Sequence, residues 1–274
     1  ADSLAYRRCI TLRHEALGDL YGYWSKTLKK ENPNTYLCSV FMQPVNKSNL
    51  YEEGVPIEVL GARGGVDEMG SDYMEPYDLR LQAAANGWRK TEQLFSGNMY
   101  SPFKEPEINL YGPPMWMLMY GGGSCNYWRF YQIMIHDSAV AVKHGYEMVD
   151  DLMALGVWDA KPPPDITVGL SRASLDWWEV KACHGPLADP NMDRAAEARR
   201  GWVSDQLIVD DVLMKNGYPF EALYLDRPKD LDALRQSRII ILPFAYAVSD
   251  AAADRCMWPV ENPALSTLTG FVLR

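Results

Sequence analysis

The sequence predicts an α/β fold in which parallel strands alternate with crossover helices. Two observations predict it. Short apolar runs bounded by turn residues alternate with stretches of helical periodicity from residue 5 to about 155. A second helix, strand, helix, strand series occupies 209–253, beyond the prolines of 161–165. Alternation of this kind is typical of βαβ units, so two successive α/β parts are expected.

The first part contains four predicted strands. A helix is expected over 12–30, where Leu17, Leu20, Trp24 and Leu28 form an apolar face and Pro33 stops the helix. The following elements are strand 35–42, a short strand carried by 57–60 and 65–73, helix 78–86, strand 89–95, helix 113–120, strand 125–131 and helix 139–155. Each predicted strand ends in polar or aromatic residues. A (β/α) barrel places its active site at these carboxyl ends of its strands.

The second part follows a stiff proline linker over 161–165. Its expected elements are strand 166–170, a Ser- and Trp-containing loop, helix 202–216, strand 220–225, helix 231–236 and strand 239–242, which is broken by Pro243. This order is half of a doubly wound sheet. The predicted organisation is therefore 1–160, a linker over 161–165, and 166–274.

Composition excludes several classes of protein. The 274 residues carry a formal net charge of -9 with no basic stripe, so no nucleic-acid partner is expected. No apolar run approaches the roughly 20 residues that span a bilayer, and the first residues lack the apolar core of a secretion signal. We expect a soluble protein without a membrane partner, and a cytoplasmic location is favoured over a secreted one.

Metal and cofactor chemistry are not expected. The five cysteines are widely spaced without C-x-x-C, so buried thiols are predicted rather than disulfides or a zinc site. His14-Glu15 lacks the second histidine of a zincin helix. The glycines at 121–123 follow a helix instead of opening one, which favours a tight turn over a phosphate-binding loop.

The aromatic content favours carbohydrate as the ligand class. Nine Trp and 16 Tyr occur in the chain. Any single one is explained by core packing, but as a population they suit a protein whose rings stack on sugar rings.

Three stretches carry a resemblance to a known family. These are ITVGLSRASLDWW, YPFEALYLDRPKDLDALRQSRIIILPFAYAVSDAAAD and PPMWMLMYGGGSCNYWRFY. Together they resemble glycoside hydrolases related to the family 42 β-galactosidases, which have a (β/α)8 TIM barrel followed by a flavodoxin-like or amidotransferase-like trimerisation domain. The resemblance implies that 1–160 is the second half of the barrel, that 166–274 is a truncated flavodoxin-like domain, and that the protein forms a homo-oligomer, for which a trimer is one option.

The resemblance also implies a catalytic residue. Such enzymes use two carboxyl groups about 5–5.5 Å apart when configuration is retained. If 125–131 is the eighth barrel strand, the seventh contains Glu92, and Glu92-Gln93 resembles the pair around the family's nucleophile. The alternative is a solvated glutamate after a helix, and Asp67 and Glu68 are reserve carboxylates. The acid/base glutamate of the fourth strand would lie before residue 1.

Further residues at the strand ends are candidates for binding sugar. They are Gln43, Asn46, Asp72, Tyr73, Asn98, Trp128 and Arg129. A structural role is the alternative for each: Trp128 could fill the barrel, and Arg129 could pair with Asp67 or Glu68.

Three hypotheses for function remain open. The first is a retaining glycoside hydrolase, β-galactosidase-like, of which this chain is a part. The second is a non-catalytic carbohydrate-binding or assembly protein derived from such a hydrolase. The third, a nucleotide-binding or amidotransferase module, lacks the phosphate loop or Cys-His pair that it needs.

Overall fold

The fold was analysed on a computed structural model of the chain. The structure describes residues 3–42, 57–72, 76–88, 91–95, 114–127, 138–161, 163, 165–174, 212–244 and 248–257. The chain divides into two compact units. The first comprises Ala1–Glu15, Leu50–Gly54 and Pro162–Arg274, and the second comprises Ala16–Asn49 and Val55–Lys161.

The second unit contains a four-stranded parallel sheet and its connecting helices. Helix α1 covers Ser3–Glu31, with residues from 16 onward in this unit, and strand β1 covers Cys38–Met42. The next elements are α2 (Ile57–Val59) with a π-helical turn (Leu60–Gly64), β2 (Glu68–Asp72), α3 (Pro76–Asn86), β3 (Thr91–Phe95), α4 (114–120), β4 (Ser124–Tyr127) and α5 (Ser138–Ala154).

The strands of this sheet are in sequential order. Each pairs in parallel with the next along the chain, so the order is β1-β2-β3-β4. Since parallel crossovers are right-handed, a sequential order places the connecting helices on one face. Contacts between successive helices agree with this: Leu79 of α3 forms a core cluster with Met117 of α4, and Cys125 on β4 packs against this cluster.

Helix α5 packs against β4 at the end of the sheet. The Tyr146 hydroxyl donates a hydrogen bond to the Cys125 carbonyl oxygen at 2.7 Å. Burial, together with the nearby Cys125 thiol, raises the pKa of Tyr146 to about 12. The phenol therefore stays protonated and keeps donating this bond over the whole neutral range.

The first unit contains a three-stranded parallel sheet. Its described strands are β5 (Ile166–Leu170), β6 (Glu221–Tyr224) and β7 (Ile239–Phe244), in the order β6-β5-β7. Helix α6 (Pro228–Ala233), a 3-10 turn (Leu234–Gln236) and helix α7 (Asp250–Met257) lie between and after them. A core cluster joins sheet and helices: Leu223, Leu225, Leu231, Leu234 and Ala252.

Most predicted elements are found, with three corrections. The segment 57–60 is helical, where a strand contribution was predicted. Strand β7 continues through Pro243 to Phe244, because β7 pairs only with β5 among the described strands and the pairing shifts near this point, so a missing N–H is tolerated. Cys9 and Cys38 are exposed, so the expectation of buried thiols is wrong for these two. Of the predicted helix 202–216, only 212–216 lies within the described residues.

The glycine run at 121–123 forms the predicted tight turn. Gly121 has φ +96°, and a Cβ there would lie 2.5 Å from the Trp88 ring. Both the backbone angle and the contact require glycine. The turn ends α4 and allows β4 to begin at Ser124.

Candidate functional site

The carboxyl ends of β1 and β2 lie side by side in the four-stranded sheet. Asp72, the last residue of β2, is in register with Met42, the last residue of β1, and with Leu94 of β3. Three of the predicted sugar-binding residues are the next in the chain after described strands: Gln43, Tyr73 and Trp128. Of the predicted sugar-binding residues, Asp72 is the one whose position at this edge the structure describes.

Six of the predicted sugar-binding residues lie outside the described residues. They are Gln43, Asn46, Tyr73, Asn98, Trp128 and Arg129. Asp72 is placed by its backbone only. These assignments therefore remain predictions.

Glu92 lies within β3 and not at its end. It is the second residue of the strand, in register with Gly70 on β2 and with Ser124, the first residue of β4. Asp72 lies two register positions further toward the carboxyl ends, which is roughly 6.6 Å along a strand. Of the two carboxyl residues, Asp72 is the one at the strand-end edge.

The two faces of the sheet can be told apart at β4. Cys125 packs against the cluster of Leu79 and Met117, so it points to the helices. Adjacent residues of a strand point to opposite faces, so Ser124 lies on the face away from the helices. By its register, residue 92 shares that face with Ser124.

Glu68 is held by a network at the amino end of the sheet. It accepts hydrogen bonds from the Tyr36 hydroxyl and from Ser124 Oγ, both at 2.7 Å. Since β3 lies between β2 and β4, the bond from Ser124 spans an intervening strand. Partial burial and the hydrogen bond to Glu68 both raise the pKa of Tyr36, so its hydroxyl remains a donor at neutral pH.

Asp67 is engaged in the same region. Its carboxylate forms an ion pair with Lys29 of α1 at 2.6 Å and accepts a hydrogen bond from the Leu37 backbone N–H at 2.9 Å. Both reserve carboxylates therefore lie at the opposite end of β2 from Asp72. Their contacts join the start of the sheet to α1 and β4, which is a structural role.

Arg80 joins two helices in a way that sequence reasoning missed. It is 6% exposed, donates a hydrogen bond from Nη2 to the Met119 carbonyl oxygen at 2.9 Å, and lies over the rings of Trp88 and Tyr120 at 4.9 and 5.2 Å. No local sequence pattern marks this arginine as buried. Its contacts hold α3 against α4.

The carboxyl edge of the three-stranded sheet is occupied by the chain's own side chains. The Arg172 backbone N–H, directly after β5, donates a hydrogen bond to the Asp226 carboxylate, which follows β6. The Ser174 N–H donates to Ser171 Oγ at 3.1 Å. In doubly wound sheets the loop after the first strand is where phosphates bind, so an internal carboxylate here argues against the nucleotide-binding hypothesis.

Asp230 caps the turn after β6, and its pKa gives a testable pH dependence. Its carboxylate accepts the Tyr224 N–H at 3.1 Å and lies 3.5 Å from Arg227. Burial raises the pKa of Asp230, although Arg227 opposes the shift. A raised folded-state pKa contributes stability that is present below the unfolded value and lost as pH rises through the folded value.

We therefore expect Asp230→Asn, which keeps an acceptor oxygen, to gain stability relative to the parent as pH rises from 4 to 7. Urea unfolding at the two pH values measures the difference. A difference in unfolding free energy between Asp230→Asn and the parent that is the same at both pH values would contradict the raised pKa of Asp230.

Among the described residues, no cluster of three or more His, Cys, Asp or Glu side chains could hold a metal ion. Within the same ranges, no helix has the length and apolar character needed to cross a membrane.

Comparison with known proteins gives a match in structure but none in sequence. No protein-family model matches the sequence, and no curated protein matches it. Among solved structures, the chain is similar to the cold-adapted β-galactosidase from Rahnella sp. R3, with a TM-score of 0.60 and 15% identity over 95% of this chain. The chain spans 39% of the length of that β-galactosidase chain. At this identity the likeness concerns the fold alone.

Proposed function

We propose that this chain is the second half of the (β/α)8 barrel of a retaining glycoside hydrolase, followed by a flavodoxin-like domain. The observation that carries the proposal is the sequential parallel order of β1 to β4, with contacting helices on one face. A doubly wound sheet reverses its strand order, whereas a barrel continues in sequence. The likeness in fold to a β-galactosidase supports the same assignment.

In this proposal Glu92 is the nucleophile and an acid/base carboxyl comes from residues outside this chain. The substrate is a β-linked sugar such as a galactoside. The support for Glu92 is its position on the third strand of the sheet, its sequence context with Gln93, and its register on the face away from the helices. Asp72, Gln43 and Tyr73 are proposed to bind sugar at the strand ends.

The flavodoxin-like assignment of the first unit rests on its strand order. The order β6-β5-β7 places the first strand between the second and third, as at the start of a flavodoxin-like sheet. The Asp226 carboxylate accepts the Arg172 N–H in the loop where a doubly wound sheet would bind a phosphate, which argues against a nucleotide site. We therefore assign this unit an assembly role in a homo-oligomer, with a trimer as one option.

A second candidate is a non-catalytic carbohydrate-binding or assembly protein. The register favours it in one respect, because Glu92 lies three residues before the described end of β3, whereas barrel enzymes take catalytic residues from the strand ends.

Stereochemistry separates the two candidates. A polypeptide that carries this chain together with the segment encoded before it should hydrolyse a nitrophenyl β-glycoside and release the β-anomer first, as double displacement requires. Proton NMR during the first turnovers measures the anomer. Release of the α-anomer would contradict retention, and the absence of hydrolysis across a panel of β-glycosides would favour the non-catalytic protein.

A further inference from the structure

We draw no further inference here: the strongest candidate, the exposed apolar face of α1 formed by Leu20, Tyr23, Trp24 and Leu28, carries none because nothing in the described part of the chain shows what covers it.

Discussion

Glu92→Gln should lower kcat for aryl β-glycosides by at least about 10³-fold in a polypeptide that carries the complete barrel, because the amide cannot form the glycosyl-enzyme ester. The size of the loss follows from removal of a covalent nucleophile, whose effect exceeds that of a binding contact. Release of nitrophenol under saturating substrate measures it. The substitution keeps the shape of the side chain, so loss of activity with an unchanged unfolding midpoint reports on chemistry.

Asp72→Asn is the matched variant. It makes the same change of carboxylate to amide two register positions further toward the strand ends. A sugar-binding role for Asp72 predicts mainly a rise in KM, since uniform binding is lost. If Asp72→Asn abolishes turnover while Glu92→Gln retains it, the nucleophile belongs at the strand end and Glu92 is the solvated or structural glutamate.

Gly61→Ala should destabilise the chain by about 3 kcal/mol, at the upper end of the usual cost of overpacking. Gly61 lies in the π-helical turn after α2, and a Cβ there would lie 2.2 Å from the Ala85 carbonyl oxygen of α3. Because the obstructing atom belongs to the backbone of a buried helix, it cannot move as a side-chain end would. Urea unfolding of the chain measures the loss.

Gly156→Ala is the control for a glycine in the same unit. It has φ +80° and no atom within 4 Å of a Cβ, so only the backbone strain of about 1 kcal/mol remains. Equal losses for the two variants would contradict the close approach of the turn to α3.

Much of the fold could be predicted because hydrophobic periodicity and turn residues are local. The predicted strand 166–170 coincides with β5. The run 57–60 was misassigned because its three apolar residues fit a buried helix as well as a strand. Glu58, within the same run, is only 5% exposed, a burial that no local pattern marks.

The orientation of α1 could not be predicted from its composition. The apolar residues Leu20, Trp24 and Leu28 were expected to form its buried face, yet they are exposed. From residue 16 onward, the buried positions of α1 are Gly18, Gly22 and Ser25, and both glycines lie close to the α2 segment. Small residues carry no hydrophobic signal, so hydrophobic periodicity identified the exposed face of the helix instead of the buried one.

The sequence located the candidate site at the ends of the strands but not the positions of its residues relative to one another. The sequence placed polar residues after each strand, and Asp72 does end β2. The position of Glu92 along the strand direction depends on its register with Gly70 and Ser124, which are distant in sequence. For the same reason the bond from Ser124 to Glu68, 56 residues apart, could not be anticipated.

Trapping with a 2-fluoro β-glycoside and mapping the labelled peptide test the proposed mechanism most directly. The fluorine slows breakdown of the glycosyl-enzyme, so the residue that forms the covalent bond keeps the sugar. We expect the label on the peptide that contains Glu92, and no label after Glu92→Gln. A label on Asp72, or on any carboxylate other than Glu92, would contradict the assignment.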